Sequence, residues 1–199
     1  MFTERVQSRA AARDATRRRV LTAAEELFRT QGFASTTVRQ IAARAGVSAG
    51  SVMAVGDKDA LLVAVFDDWI AAVHETRAAG GEPPAASNAA IMALFEPFLA
   101  YFAQDPVLSR EYSSIIVRGT HESAIFDNLA LALVSEIENV LARAGFAPAV
   151  AARRARVVYF AYLGIVMTAG NRAAIGGSPL EQLREVVDFA LGEHNEQDR

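Results

Sequence analysis

Apolar residues recur at intervals of three and four along most of the chain, whereas the alternation expected of strands is scarce. Because 3.6 residues complete one helical turn, this spacing is typical of amphipathic helices and predicts an all-α protein. The Gly-, Pro-, Ala- and Ser-rich segment 78–88 predicts the clearest loop. Helices are predicted over about 16–31, 57–79, 89–103, 105–118, 122–144, 148–174 and 179–191, with two shorter helices between residues 37 and 58.

Two short helical patterns stand back to back within Thr36–Lys58. Thr37 and Gln40 have the spacing of a capping box at the start of the first helix. Gly46 can take the left-handed conformation that ends a helix, and Ser48 can cap the second helix. A helix, a tight glycine turn and a second capped helix form the layout of a helix-turn-helix, whose second helix enters the DNA major groove.

Three runs within residues 20–62 carry a family resemblance: AAxxLFxxxGF, TxxxIAxxAGVSxGS and KxALL. Together they resemble the DNA-binding domain of TetR-family transcriptional regulators. The resemblance implies an N-terminal helix-turn-helix head and a C-terminal helical domain that binds a small effector and dimerises. Accordingly, we place a basic arm at 1–15, the helix-turn-helix domain at 16–60 and the ligand-binding and dimerisation domain at 61–199. Repressor is the default role that the family implies.

The second helix of this motif departs from the family pattern. Met53 stands where the family usually has a phosphate-contacting aromatic residue, Ala54 and Val55 replace basic or histidine positions, and Ala49 replaces a frequent lysine. Direct base readout needs donors and acceptors, so we expect weak or shape-dependent binding of double-stranded DNA. The alternative is a ligand-binding or protein-interaction module whose head has lost specific DNA binding. The candidate DNA-contact residues are Arg17, Thr37, Arg39, Arg44, Ser48, Ala49, Gly50, Ser51, Met53 and Lys58.

The net charge of −3 conceals an asymmetry. The first 58 residues carry ten Arg and Lys against five Asp and Glu, and the remainder carries ten against eighteen. A basic head on an acidic body suits a polyanion-binding domain, although solvated helix faces would give the same count. Arg5, Arg9 and Arg13 could follow a phosphate backbone or add only diffuse charge. We expect Arg17, Arg18 and Arg19 near the start of the first helix, where cations oppose the helix dipole.

The C-terminal segment is rich in aromatic residues. The family resemblance implies that they line an apolar cavity for the effector. Filling of the core is the alternative for each of them. His74, Arg118, His121 and Glu122 could add the few polar contacts that such a cavity needs. The candidate ligand-binding residues are Phe66, Trp69, Phe95, Phe98, Phe102, Tyr112, Phe126, Tyr159 and Tyr162.

The last two helices are rich in apolar residues, and Gly164 would let another helix approach closely. The resemblance implies that these helices pair with those of a second copy, so we expect a homodimer, with burial within one chain as the alternative.

Several classes of protein are disfavoured. The chain has no cysteine, which excludes disulfides and thiolate metal sites. It also lacks GxSxG, HExxH and glycine-rich phosphate-loop motifs, so we expect neither an enzyme nor a cofactor or metal site. No secretory apolar region and no apolar run of about 18 residues is present, so we expect a cytoplasmic protein without a membrane span.

Overall fold

The computed structural model describes residues 2–78, 87–121, 123–168 and 177–192; side chains are described from residue 10 onward, apart from 77–78 and 124–127. Within these ranges all regular structure is α-helical, which confirms the predicted class. The helices are α1 (Phe2–Gln31), α2 (Val38–Ala45), α3 (Ala49–Val55), α4 (Lys58–Ala78), α5 (Asn88–Gln104), α6 (Pro106–Arg118), α7 (Ala124–Arg143), α8 (Pro148–Thr168) and α9 (Pro179–Leu191).

The chain divides into two compact units. The head unit comprises Met1–Trp69 and Glu111–Ser123, and the body unit comprises Ile70–Arg110 and Ala124–Arg199. Helices α4 and α6 therefore each run from one unit into the other. This grouping differs from the predicted division at residue 60, because α6 returns the chain to the head unit after the first body helix.

Helix α1 begins much earlier than the sequence pattern predicted. It starts at Phe2 rather than near Thr16, and the alanine-rich segment 9–15 favours helix without needing an apolar face. Arg17, Arg18 and Arg19 therefore lie in the middle of α1. Because the helix dipole acts within the first turn, the predicted conflict between these arginines and the dipole was wrong.

The predicted caps of the helix-turn-helix are confirmed. Thr37 and Gln40 form the reciprocal capping box of α2. Gly46 ends α2 with a φ of 64°, and the N–H of Val47 donates to the carbonyl of Ala42 at 3.0 Å. The hydroxyl of Ser48 accepts from the N–H of Ser51 at 3.0 Å at the start of α3. Local hydrogen bonds thus define both ends of the turn.

The head core holds α1, α2 and α3 together by apolar packing, and each of these helices contacts the other two. Side chains from all three helices are fully or almost fully buried, as expected when short helices gain most of their stability from tertiary contacts. The buried set comprises Val20, Ala24, Phe28, Ile41, Ala42, Ala45 and Val52.

A second part of the head unit joins the start of α4 to the end of α6. The rings of Phe66 and Tyr112 stack with centroids 4.2 Å apart. Arg118 pairs with Asp59 at 3.1 Å, and the hydroxyl of Ser123 donates to Asp67 at 2.7 Å. Within the head unit, the ring stack and the Arg118–Asp59 pair thus hold α6 against α4, and Ser123 adds a contact from the segment that follows α6.

In the body unit, α5 contacts α7, α8 and α9, and α8 also contacts α7 and α9. Ser178 and Glu181 form a capping box at the start of α9, where Pro179 occupies the first turn. The hydrogen bonds of Ser178 to the Glu181 carboxylate lower the pKa of that carboxyl. Most of the predicted loop 78–88, and the predicted end of α8 between 169 and 174, lie outside the described residues.

Asp67 allows a test of the contact between α4 and the segment that follows α6. Burial raises the pKa of its carboxyl, against the opposing effect of the Ser123 hydrogen bond. A folded-state pKa above the unfolded value means that stability falls as pH rises from about 3.8 through the folded pKa. Asp67→Asn removes this charge and keeps an oxygen that can accept from Ser123. We expect Asp67→Asn to exceed the wild type in free energy of unfolding at pH 7, and the difference to shrink as the pH approaches 4.

Urea unfolding followed by circular dichroism at both pH values measures this difference. Asp68→Asn is the matched control, because Asp68 is exposed and pairs with Arg17 at 3.4 Å. This variant should lose roughly 0–1 kcal/mol at pH 7, as is usual for an exposed ion pair. If Asp67→Asn has a lower free energy of unfolding than the wild type at pH 7, the raised pKa of Asp67 in the folded state is contradicted.

Candidate functional site

The second helix of the motif, α3, turns one side inward and the other to solvent. Val52 is fully buried in the head core. Ala49, Gly50, Met53 and Ala54 are exposed, and Met53 exposes 52% of its surface. The surface that a major-groove helix would present to base edges is therefore small and apolar.

The hydroxyl groups near this surface already have partners within the protein. Ser48 and Ser51 share a hydrogen bond with their oxygens 2.9 Å apart, besides the cap that Ser48 provides. The hydroxyl of Thr37 donates to the Gln40 side chain at 2.8 Å while it caps α2. Contact between any of these hydroxyls and DNA would share or replace an internal hydrogen bond.

Two of the predicted DNA-contact cations are also engaged internally. Arg44 pairs with Glu26 at 2.6 Å, and this carboxylate raises the pKa of Arg44 above its already high usual value. The ammonium of Lys58 donates to the carbonyl of Phe33 at 3.1 Å and lies 4.3 Å from the centre of the Phe33 ring. Arg44 remains exposed, whereas Lys58 is half-buried.

Two arginines of α1 also have partners within the head unit. Arg17, a predicted DNA-contact residue, pairs with Asp68 at 3.4 Å, with both side chains about half-exposed. Arg19 was not predicted as a site residue, yet it donates to the carbonyls of Ala45 and Gly46 at distances of 2.7–3.1 Å. It thereby caps the C-terminus of α2, and no local sequence signal could have linked residues 26 positions apart.

Arg18 and Arg39 remain for contact with an anion. Both are exposed, and among the described residues neither has a hydrogen-bond or ion-pair partner. Arg18 lines a shallow depression between α1 and α2 together with Arg19, Glu26 and Arg44. A phosphate placed there would meet Arg18 and Arg19 of α1 and Arg44 of α2, beside the Glu26 carboxylate that pairs with Arg44.

The predicted ligand-binding aromatics fall into different parts of the molecule. Phe66 and Tyr112 stack on each other in the head unit, and Trp69 is a half-buried residue at its edge. The side chain of Phe126 lies outside the described residues. The others are buried in the body unit, namely Phe95, Phe98, Phe102, Tyr159 and Tyr162.

A cavity of about 180 Å³ lies in the body unit and is mostly apolar. Of the predicted aromatics only Phe102 lines it, because the other body rings pack against one another; Phe95 and Tyr162, for example, have centroids 4.6 Å apart. Burial raises the pKa of Tyr162, so this phenol stays neutral. The cavity is lined by Leu99, Phe102, Ala103, Pro106, Ser109, Arg110, Val166 and Pro179.

The polar groups of the cavity come from α6. The hydroxyl of Ser109 donates to the carbonyl of Phe102 at 2.9 Å, and Arg110 donates through Nε to the carbonyl of Pro106 at 3.2 Å. No carboxylate among the described residues pairs with Arg110. Sequence reasoning did not identify Ser109 or Arg110, since neither belongs to a recognisable motif.

The predicted polar candidates do not meet at this cavity. His74 lies beside Phe98 in the body unit, with ring centroids 6.1 Å apart. His121 lies 3.6 Å from Asp57 in the head unit, where Arg118 also lies, and Glu122 is outside the described residues. In the part of the chain that the structure describes, no three His, Asp or Glu residues are arranged to hold a metal ion.

Helices α8 and α9 expose large apolar side chains. Phe160 on α8 and Phe189 on α9 expose 66% and 71% of their surfaces, and Val157 is also exposed. A Cβ added at Gly164 would meet no atom within 4 Å. This face is therefore open within the chain. None of the described helices is both long and apolar enough to cross a membrane.

Known proteins share this architecture. Among solved structures, FadR of Thermus thermophilus, a TetR-family repressor in complex with lauroyl-CoA, has a TM-score of 0.65 at 22% identity, over 92% of this chain and 97% of that one. SmeT, which represses the SmeDEF multidrug efflux pump of Stenotrophomonas maltophilia, has a TM-score of 0.59 at 21% identity, over 89% of both chains. A TetR regulator from Rhodococcus sp. RHA1 has a TM-score of 0.62 at 20% identity, over 94% and 98%.

At such identities the solved structures show the fold. No curated protein matched the chain in a separate comparison. Residues 20–65, which span α2, α3 and the helix ends around them, match the family described as bacterial regulatory proteins, tetR family. Residues 20–65 therefore form a helix-turn-helix domain of the tetR family of bacterial regulatory proteins, and the rest of the chain shares the helical fold of TetR-family regulators.

Proposed function

We propose that this protein is a ligand-responsive repressor that binds operator DNA through its head unit and releases it when a small apolar effector enters the body unit. It would act in the cytoplasm, as a homodimer. The course of α6 carries the proposal. Pro106, Ser109 and Arg110 line the body cavity, and the same helix continues as Glu111–Arg118 within the head unit.

Coupling would follow from this continuity. A ligand that displaces the start of α6 would also displace Tyr112, which stacks on Phe66 of α4. If ligand and operator favour different arrangements of these helices, each weakens binding of the other by the same factor. The stack of Tyr112 on Phe66 would thereby pass a displacement of α6 on to α4.

The size of the cavity suggests the class of effector. An apolar cavity of roughly 150 Å³ holds benzene in another protein, so about 180 Å³ suits a compound with a single ring or a short branched chain. FadR of Thermus thermophilus was solved with lauroyl-CoA, which supports a ligand-responsive role for this fold. A ligand of that length would need the cavity to widen.

Dimerisation would cover the exposed face of α8 and α9. Val157, Phe160 and Phe189 are exposed apolar side chains on these two packed helices, and a cluster of this kind is typical of an interaction surface. A two-fold pairing of these helices would bury both copies of each side chain and place two heads for the half-sites of a palindromic operator.

A ligand-binding module without specific DNA binding is the second candidate. The apolar outer face of α3 and the internal contacts of Lys58 favour it, since they reduce the groups available to DNA. The basic charge of the first 58 residues favours the repressor instead.

DNA binding tests the choice between these functions. Anisotropy of labelled upstream DNA, titrated with salt and with nonspecific competitor, should show nanomolar binding that survives competitor. The plot of log affinity against log salt has a negative slope. Arg18→Ala and Arg39→Ala should each make this slope shallower by about 0.9, because each removes one phosphate contact. Weak binding that competitor abolishes would favour the ligand-binding module.

Two other arginines serve as controls for this measurement. Arg143→Ala removes an exposed charge from α7 of the body unit and should leave the slope unchanged. Arg19→Ala should instead lower the free energy of unfolding by about 1.5–3 kcal/mol, because α2 loses its charged cap. If the salt dependence of DNA affinity in Arg18→Ala and Arg39→Ala equals that of the wild type and of Arg143→Ala, neither arginine contacts a phosphate.

Filling the cavity tests the effector site. Toluene, used as a probe of size, should raise the melting temperature of the wild type by about 3–6 °C at ten times its Kd. Ala103→Leu narrows the cavity and should abolish this rise. Ala100→Leu, at an exposed position of α5 outside the lining, should retain it. No rise with the wild type, or a rise that Ala103→Leu retains, would argue against this cavity as the effector site.

A charge on the face of α8 and α9 tests the dimer. Light scattering of the wild type should give twice the chain mass of 21.3 kDa. Phe189→Glu should raise the dissociation constant of the dimer roughly 100-fold to 10,000-fold, because two buried rings are lost. Leu131→Glu, at a 73% exposed position of α7, is the control and should remain dimeric. A Phe189→Glu dimer of unchanged stability would place the interface elsewhere.

A further inference from the structure

The outer face of α3 lacks the groups that usually read DNA bases. Proteins recognise base edges mainly through Arg, Lys, Asn, Gln or acidic side chains. Helix α3 contains none of these, and Ser51, its one polar side chain, is hydrogen-bonded to Ser48. What the helix does expose is Ala49, Gly50, Met53 and Ala54.

The major groove offers one apolar group to such a surface, the C5-methyl group of thymine. Contact between this methyl group and an apolar side chain removes both from water and needs no hydrogen bond. Methionine is unbranched and flexible, so its side chain can adjust to the position of the methyl group. The small residues Ala49, Gly50 and Ala54 leave room for a close approach of the helix to the bases.

The charge of the head unit indicates a polyanion as the partner. Arg39 on α2 and Arg18 on α1 are exposed and, among the described residues, unpaired. The first 58 residues also carry ten basic against five acidic side chains. An apolar helix face on a basic head suits the major groove, where phosphates flank the base edges.

We propose that α3 selects its operator through apolar contact of Met53, Ala49 and Ala54 with thymine methyl groups, with Met53 as the main specificity-determining residue. The inference rests on the proposed function, since it requires the head to bind DNA. The operator should then hold thymines at set positions of each half-site. Their methyl groups should matter even where all donors and acceptors are kept.

Deoxyuridine supplies the test, because it lacks only the methyl group of thymidine. Selection from a random duplex library with the full-length protein first yields a binding site. Each thymidine of that site is then replaced singly by deoxyuridine, and affinity is measured by fluorescence anisotropy. A contacted position should lose about fourfold in affinity, and two contacted positions about 15-fold. Positions outside the half-sites should not respond.

A variant of Met53 separates direct contact from DNA shape. Met53→Ala should weaken binding to the thymidine site and should largely abolish the deoxyuridine effect at one position, since the contact is already lost. Met53 exposes 52% of its surface, so its truncation should leave the fold intact by circular dichroism. Val117→Ala trims another apolar side chain of the head unit, 69% exposed on α6, and should leave the deoxyuridine effect unchanged.

Three results would overturn the proposal, and they are distinguishable. Unchanged affinity of every deoxyuridine site would exclude methyl recognition while leaving a DNA-binding regulator. A deoxyuridine effect of equal size in Met53→Ala would indicate readout of DNA shape instead. Selection that enriches no sequence would remove the proposed function together with this inference.

Discussion

The corner between α2 and α3 is the constraint on which the head depends. Gly46 turns the chain with a positive φ, and Arg19 of α1 binds the carbonyls of Ala45 and Gly46 that the turn leaves without helical partners. These bonds tie the corner to α1 and set the direction in which α3 leaves it. Val52 consequently faces the core and Met53 faces solvent. Any surface offered to DNA follows from this one orientation.

The same packing determines which basic side chains of the head are free to contact DNA. A count of charges treats every arginine alike, whereas Arg19 is committed to a helix cap and Lys58 to the carbonyl and ring of Phe33. Arg17 and Arg44 hold exposed ion pairs, which contribute little stability and can be exchanged for a phosphate at small cost. The cations available to DNA are therefore fewer and more localised than the composition indicates.

Under the proposed function, communication between effector and DNA would depend on α4 and α6, whose residues belong to both units. Helix α6 has 13 residues and is about 20 Å long, so a shift at Ser109 need not be lost before it reaches Tyr112. Stacking of Tyr112 on Phe66 and the ion pair between Arg118 and Asp59 then join α6 to α4, the helix that directly follows α3. In the proposed mechanism, a ligand contact at Ser109 would bias the head through these contacts, without any direct contact between ligand and DNA.

The sequence by itself determined the helices, the caps and the helix-turn-helix, because these arise from interactions over three or four residues. Thr37 with Gln40, Ser48 with Ser51, and Gly46 were all recognisable from spacing. The lack of base-reading side chains on α3 was equally plain.

Only the tertiary structure decided which of these residues are committed to internal contacts. Three features depend on positions that are distant along the chain. They are the cap from Arg19 to Ala45, the return of α6 to the head unit, and the stack of Phe66 on Tyr112 apart from the aromatic residues of the body. Packing sets such contacts, and one linear pattern is compatible with many packings. The cavity beside Ser109 and Arg110 arises in the same way, from the space that several helices leave between them.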